Sequence, residues 1–262
     1  MTVPVVDKSS PIPLYYQIAE WIRELIKSGR LKPGDQLPSE RELVDQSEVS
    51  RMTVRQALAY LIREGLLVAR PGIGTFVADP KLAHTVLHLL GFTEEMMRRG
   101  GMVSSRVLEQ TVVVPPTGVA TALRLRPGEQ AVKIVRLRRV AGTPMLLETI
   151  YVPAALSPGL EHEDLDTGSL YALLEQHYGL SLNHAQETLE ATTANEYEGD
   201  LFGIPPGTAM ILVEGTTYLR GGQPVEYFKA VYRGDRFKFQ FESQRNGVTE
   251  VAGASNVSVV LV

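Results

Sequence analysis

Residues 37–78 read LPSERELVDQSEVSRMTVRQALAYLIREGLLVARPGIGTFVA, and their punctuation decides the fold. Ser39, with Glu42 three residues on, is a capping-box pattern, so a short helix over about 39–46 is expected. After the turn SEV, Ser50 is a second candidate N-cap. The helix that follows, over about 51–64, buries Val54, Ala57, Leu58 and Leu61 and stops at Gly65. LLVA, RPGIG and TFVA then read as two short strands around a Gly-rich turn. Upstream, LYYQIAEWIRELIKSG (14–29) sets Leu14, Ile18, Trp21, Ile22, Leu25 and Ile26 on one helical stripe. Three helices and a hairpin in about 65 residues make a winged helix-turn-helix. In such a unit Ser50, Arg51, Thr53 and Arg55 would enter the major groove, where arginine reads guanine bidentately and hydroxyls meet phosphate or base edges. Gly72 and Gly74 would let the wing tip approach the DNA backbone. On pattern alone the alternative is a helical bundle with ordinary surface arginines. The pair Gly72–Gly74 has no third glycine and precedes a strand, which argues against a dinucleotide site.

The chain has 262 residues, which suits one large domain or two smaller ones and is ample to bury a core. Its 44% hydrophobic and 21% charged residues are those of a globular protein. It has no cysteine, which excludes disulfides, thiol nucleophiles and thiolate metal sites. No apolar run reaches the ~18 residues of a membrane span. The start, MTVPVVDKSSPIP, lacks the form of a signal peptide, so a cytoplasmic protein is expected. A net charge of −4 excludes a polybasic binder of the histone type but not a local basic face. Between 49 and 77, Arg51, Arg55, Arg63 and Arg70 stand against Glu64 alone.

Residues 78–90 read as a linker into a second domain. From 103 the pattern is mostly β, with candidate strands at 106–114, 131–140, 144–152, 186–193, 208–220, 224–233 and 236–243. The turns AGTP (141–144) and GGQP (221–224) join hairpins, and helices are expected at about 117–125, 169–178 and 195–202. Such a domain is α+β with an antiparallel sheet. The tail 247–262 is small and apolar, either an edge strand or mobile.

Several residues of this half invite a ligand reading. Arg136 and Arg138 are two apart on a strand, so they share a face at roughly 7 Å and can clamp a phosphate; equally, they can be solvated arginines on an open sheet. GSLYALL starts a helix, where Ser169, Tyr171 and free backbone N–H groups suit an anion, unless Thr167 or Ser169 is a simple cap. Glu148 is an acid in an apolar strand and needs partners such as sugar hydroxyls. Glu226 and Tyr232 share strand parity and either face one pocket or pack in the core. His84 and His88, at i and i+4 on a possible helix, have metal-compatible spacing, but no third ligand is near, and no metal or cofactor is expected.

The segments P-S-E-R-E-L, S-R-M-T-V-R-Q-A-L and G-x-G-T-F-V resemble the DNA-binding domain of the GntR family of bacterial transcription regulators. The resemblance implies operator contacts at Ser39, Arg41, Ser50, Arg51, Thr53, Arg55, Gly72 and Gly74. Many relatives carry a cation at the wing where this chain has Pro71 and Ile73, which implies a shallower salt dependence. FTEEMMRRG (92–100), VRLRRVAGTPMLLETIYV (135–152), GSLYALL (168–174) and GQPVEYFKAVYRGDRFKF (222–239) resemble the UTRA effector domain of the HutC subfamily, which has a chorismate-lyase-like fold. The implied organisation is a winged helix-turn-helix over 10–78, a linker over 79–91, the effector domain over 92–246 and a tail over 247–262. The last of these segments is close to the subfamily's regulators of amino-sugar use. That likeness implies phosphate contacts from Arg136, Arg138, Ser169 and Tyr171 with Thr93 nearby, and sugar contacts from Glu148, Glu226 and Tyr232. It also implies a homodimer on a palindromic operator in double-stranded DNA. The effector is then a small anion, a sugar phosphate such as N-acetylglucosamine 6-phosphate or glucosamine 6-phosphate. No membrane partner is expected. No nucleophile–base pair with motif spacing is present, so a regulator rather than an enzyme is expected. A lyase-like enzyme fused to a DNA reader, or a ligand-insensitive architectural protein, are the other readings.

Overall fold

The structure, a computed structural model, describes residues 6–85 and 89–240. The chain divides into two compact units. Of the described residues, the first holds 6–82 together with a returning segment, Gly234–Phe237; the second holds the others.

In the first unit, α1 (Leu14–Lys27) buries Ile18, Ala19, Ile22 and Leu25. The next helix, α2 (Glu40–Ser47), opens on Ser39, whose side chain accepts from the Glu42 N–H while the Glu42 carboxylate accepts from the Ser39 N–H, a complete capping box. Its C-cap, Glu48, takes left-handed backbone angles (φ 52°), which turns the chain sharply into the following helix. That helix, α3 (Arg51–Arg63), is capped by Ser50 and buries Val54, Ala57, Leu58 and Leu61 against Ile18, Ile22, Leu43 and Val49. Truncating any one of these buried leucines to alanine costs about 2–5 kcal/mol. The wing is β1 (Leu67–Arg70) paired with β2 (Gly74–Val77). Residues 34–37 lie along the free edge of β2: Val77 N donates to Asp35 O at 2.9 Å and Leu37 N to Thr75 O at 2.8 Å.

The second unit is built on one antiparallel six-stranded sheet. Its strands are β4 (Val103–Val113), β5 (Ala131–Val140), β6 (Thr143–Pro153), β7 (Leu182–Thr193), β8 (Ala209–Leu219) and β9 (Pro224–Arg233), in the order β4-β5-β6-β9-β8-β7. Hairpins join neighbours on either side, and the central β6–β9 pairing closes the sheet from residues about 80 apart in sequence. Strand alternation divides the core between two faces. On one, α6 (Leu170–Gln176) packs over Val132, Ile134, Ile150 and Val152. On the other, α7 (Glu196–Phe202) brings Phe202 over Leu137, Leu147 and Val231, and α5 (Thr117–Ala122) brings Val119 over Ala131 and Tyr151.

Three features depart from the sequence expectation. His84 lies not on a helix but in a strand, β3 (Leu82–Thr85), which pairs with β10 (Phe237–Gln240). Four residues carry no usable periodicity, and the strand exists because a segment over 150 residues away supplies its hydrogen bonds. The i, i+4 metal spacing therefore does not apply, and His88 lies outside the described residues. The second departure is a helix, α4 (Phe92–Arg98), with Glu94 and Glu95 in its first turn and Arg98 in its last. These charges match the helix dipole, but seven residues are too few for a hydrophobic period. Third, the strand expected over 236–243 is described only as β10, and the tail 247–262 lies outside the described residues. Among the described residues no helix is long and apolar enough to cross a membrane.

Candidate nucleic-acid interface and effector site

The outward face of α3 carries Arg51, Met52, Arg55, Gln56 and Ala59, all exposed, opposite the buried stripe. Arg51 and Arg55 are one helical turn apart and converge on a single carboxylate. Arg51 Nε lies 3.0 Å from Glu40 Oε2 and Arg55 Nε 3.9 Å from Glu40 Oε1. Glu40 is the first residue of α2, so the cap at Ser39 fixes where this carboxylate stands. Ser50 Oγ accepts from Thr53 N at 3.1 Å and lies 2.8 Å from Thr53 Oγ1. The predicted hydroxyls Ser39, Ser50 and Thr53 are thus all engaged in helix capping. The Arg41 side chain is in water, 4.0 Å from Asp45, a surface pair of little energetic weight.

The wing tip turns on Gly72 (φ 74°) and Gly74 (φ 146°). At Gly74 a Cβ would stand 2.5 Å from Gln36 Nε2, which donates to Ile73 O at 3.0 Å. The backbone angle therefore favours glycine there, and a larger residue would also have to displace the end of the Gln36 side chain. The Arg70 guanidinium lies 4.5 Å over the Phe76 ring, and Ile73 is 66% exposed at the tip.

In the second unit, the cross-strand register puts Arg136 opposite Glu148, Glu148 opposite Ala230, and Arg138 and Tyr232 both opposite Leu146. Arg136, Arg138, Glu148, Glu226 and Tyr232 therefore share one face, the one α6 covers. The arginines are buried, at 3% and 2% exposure, which removes the solvated alternative. One oxygen, Glu148 Oε1, meets both: Arg136 Nη2 at 2.7 Å and Arg138 Nη1 at 3.4 Å. Arg138 also donates to Thr93 Oγ1 and lies 5.1 Å over the Phe92 ring, both on α4. Among the described residues no acceptor meets Arg136 Nε, Arg136 Nη1 or Arg138 Nε. Burial pushes the Arg138 pKa down to about 10; Glu148 opposes that shift and Arg136 adds to it. At about 10 the Arg138 guanidinium is still a cation at neutral pH, and the two arginines share a single carboxylate, a formal surplus of one positive charge among the three groups.

Next to them is a second polar cluster. Glu226 Oε2 accepts from Tyr171 OH at 2.9 Å and from Thr217 Oγ1 at 2.7 Å. Burial pushes the Glu226 carboxyl up to about 7; the Thr217 and Tyr171 hydrogen bonds and the Arg136 charge oppose this, and Glu148 adds to it. Burial, then Glu226, raises the Tyr171 phenol; burial, then Glu148, raises Tyr232. Ser169 is the N-cap of α6, its Oγ accepting from Ala172 N at 3.3 Å. Gly91, just before α4, packs on the Tyr171 ring, where a Cβ would stand 3.3 Å from the tyrosine Cβ.

Elsewhere in this unit a cleft of about 630 Å³ is lined by Leu123, Arg124, Gln130, Pro153, Gly222 and their neighbours. It contains none of the predicted effector residues. The buried charges and unmet donors described above lie in the arginine cluster and not in this cleft. Among the described residues no three histidine or carboxylate side chains gather as a metal site.

Sequence reasoning passed over Glu40, Met52 and Gln56 at the first site and Phe92 and Thr217 at the second. Glu40 was visible in the SERE segment, but its place in the capping pattern hid its reach to α3. Thr217 becomes recognisable only once β8 is paired with β9.

The geometry can be set beside known proteins. Residues 14–77 match the family model described as bacterial regulatory proteins, gntR family, and residues 98–238 match the UTRA domain. The HTH-type transcriptional repressor NagR of Bacillus subtilis is 38% identical, over 89% of this chain and 96% of its own length. The mannosyl-D-glycerate transport/metabolism system repressor MngR of Escherichia coli is 31% identical, over 89% and 97%. The crystal structure of PhnF from Mycobacterium smegmatis is similar at a TM-score of 0.61 and 29% identity, covering 86% of this chain and 99% of that one.

Proposed function

The chain belongs to the GntR family of bacterial regulatory proteins and carries the UTRA domain of its HutC-type members, and from that premise we propose a homodimeric transcriptional repressor controlled by a phosphorylated amino sugar. In this reading two copies of α3 enter successive major grooves of a palindromic operator, half-sites about one helical turn apart. Arg51 and Arg55 read bases, Ser39, Arg41, Ser50 and Thr53 meet phosphates, and Gly72 and Gly74 bring the wing to the backbone.

The observation that carries the effector reading is the buried pair Arg136 and Arg138 sharing one oxygen of Glu148, with three guanidinium nitrogens unmet among the described residues. A phosphoryl group supplies the missing negative charge and acceptors. Thr93, Ser169 and Tyr171 complete its surroundings. Glu148, Glu226 and Tyr232 supply acceptors and a donor for sugar hydroxyls and the amine or amide. The site binds and does not convert. Thr93 sits on α4, the first helix after residues 79–91, so a change at Arg138 is passed directly into the segment that leads back to the DNA-binding unit. Switching requires that the effector bind one arrangement of the dimer more tightly than the other.

The test is thermal unfolding of the full chain with N-acetylglucosamine 6-phosphate, glucosamine 6-phosphate, the two unphosphorylated sugars and inorganic phosphate. At 100 times Kd a ligand of the folded state adds about 2.7 kcal/mol. A rise with the phosphorylated amino sugars, well above that with phosphate, is expected. Equal rises with the unphosphorylated sugars, or no rise at all, would overturn the assignment.

A further inference from the structure

We infer that Met52 reads the C5-methyl group of a thymine in the major groove, and so sets part of this regulator's operator preference. The inference rests on the DNA-binding reading above. Met52 is 69% exposed, more than any other large hydrophobic residue described in its unit; the others are Ile12 at 48%, Val68 at 37% and Ile73 at 66%. It is the second residue of α3, beside Arg51 and one helical turn before Gln56 on the same outward face.

An apolar side chain here has no partner within its own unit, and its neighbours decide what can cover it. Arg51 and Arg55 flank it with side chains 75% and 60% exposed, so the covering surface must be both anionic and locally apolar. The DNA major groove meets both needs at a thymine, where phosphates line the groove and a methyl group stands at its floor. The polar residues of this face cannot recognise that methyl. Arginine matches the O6 and N7 of guanine, and glutamine matches adenine. A flexible, polarisable thioether chain fits against a methyl group whose position varies with groove width. Gln56, one turn on, lies on the same side of the helix and can take the adenine of the same or the next base pair.

The experiment begins with selection of bound sequences from a random double-stranded library by the full-length protein. Each thymine of the selected site is then replaced singly by deoxyuridine, which removes only the methyl group. Kd is measured for the wild type, Met52→Ala and Met52→Leu. At one thymine per half-site the wild type should lose about fourfold in affinity, the amount expected for one buried methyl. Met52→Ala, which loses the contact in both half-sites of the dimer, should bind the thymine site about sixteenfold more weakly than the wild type, as the wild type does when both half-sites carry uracil, and be indifferent to the replacement. Met52→Leu should keep most of the discrimination. Because Met52 is exposed, all three proteins should melt together. A wild type indifferent to every replacement, or an alanine variant as sensitive as the wild type, overturns the inference and leaves DNA binding intact. Failure to enrich any sequence overturns the DNA-binding reading and this inference with it.

Discussion

Replacing Glu148 by glutamine removes one charge from between two buried cations and keeps the shape. The pairing distances are 2.7 and 3.4 Å, with 3% and 2% of the arginines exposed and 12% of the glutamate side chain. At an effective dielectric of about 20, each contact at this range is worth roughly 5 kcal/mol of attraction. The desolvation of the carboxylate, several kcal/mol, is recovered when it is removed. What remains is the usual result of breaking a buried pair, about 3–5 kcal/mol of lost stability. Glutamine keeps one acceptor oxygen, so the low end, about 3 kcal/mol, is expected. For a protein of this size 1 kcal/mol moves Tm by about 2–4 °C, giving a fall of roughly 6–12 °C. The variant should also respond more than the wild type to inorganic phosphate at millimolar concentration, because the anion now faces two uncompensated guanidiniums. Differential scanning fluorimetry with and without phosphate measures both effects. A variant that melts within ~2 °C of the wild type, or that gains no more from phosphate than the wild type does, would refute the charge accounting at this site.

Glu226 titrates near 7 in the folded chain against an ordinary 4.5, so between those values the folded form holds more protons and stability falls as pH rises, by about 3 kcal/mol in all. Glu226→Gln should remove that loss, its Tm advantage over the wild type appearing above pH 4.5 and complete above pH 7; parallel Tm–pH curves from pH 4 to 8 would contradict the buried-acid account. Arg51→Ala should lower affinity for the selected operator about 5- to 150-fold per half-site, the range of one bidentate base contact, and by the square of that for the dimer, while the effector-induced Tm shift stays unchanged. Ile73→Arg puts a cation at each wing tip of the dimer and should steepen the plot of log K against log salt by about 1.8, about 0.9 per wing; an unchanged slope would mean the tips do not reach the DNA backbone.

Local signals in the sequence were enough for the first unit. Ser39 and Ser50 were readable as caps because a cap is decided within four residues, and the Val54–Leu61 stripe because a helix buries what its own period lines up. The bounds of β5 and β9 were readable from alternation and flanking turns. The pairing of β6 with β9 was not, since nothing in either strand names a partner about 80 residues away. The Glu226–Tyr171–Thr217 cluster is a mixed case: Thr217 and Glu226 face each other across the β8–β9 hairpin, whose turn was readable, but Tyr171 arrives on α6 from 55 residues before Glu226. The parity of Arg136 and Arg138 was legible, but their burial was not. Parity assigns a face, and only α4 and α6, arriving from distant sequence, determine whether water reaches it.

The Glu40 carboxylate between Arg51 and Arg55 has a consequence for life in a crowded genome. Any duplex offers phosphates to these two arginines, and each such encounter must first draw them from a counter-charge already in place. A guanine edge in the right position repays that exchange with two directed hydrogen bonds; a phosphate chosen at random repays it with less. Glu40 therefore lowers attachment to right and wrong DNA by one common factor and leaves the discrimination to the base contacts. With some million or more competing sites for each correct one, that common factor shortens each stay at a wrong site, so its consequence is a faster search along the chromosome.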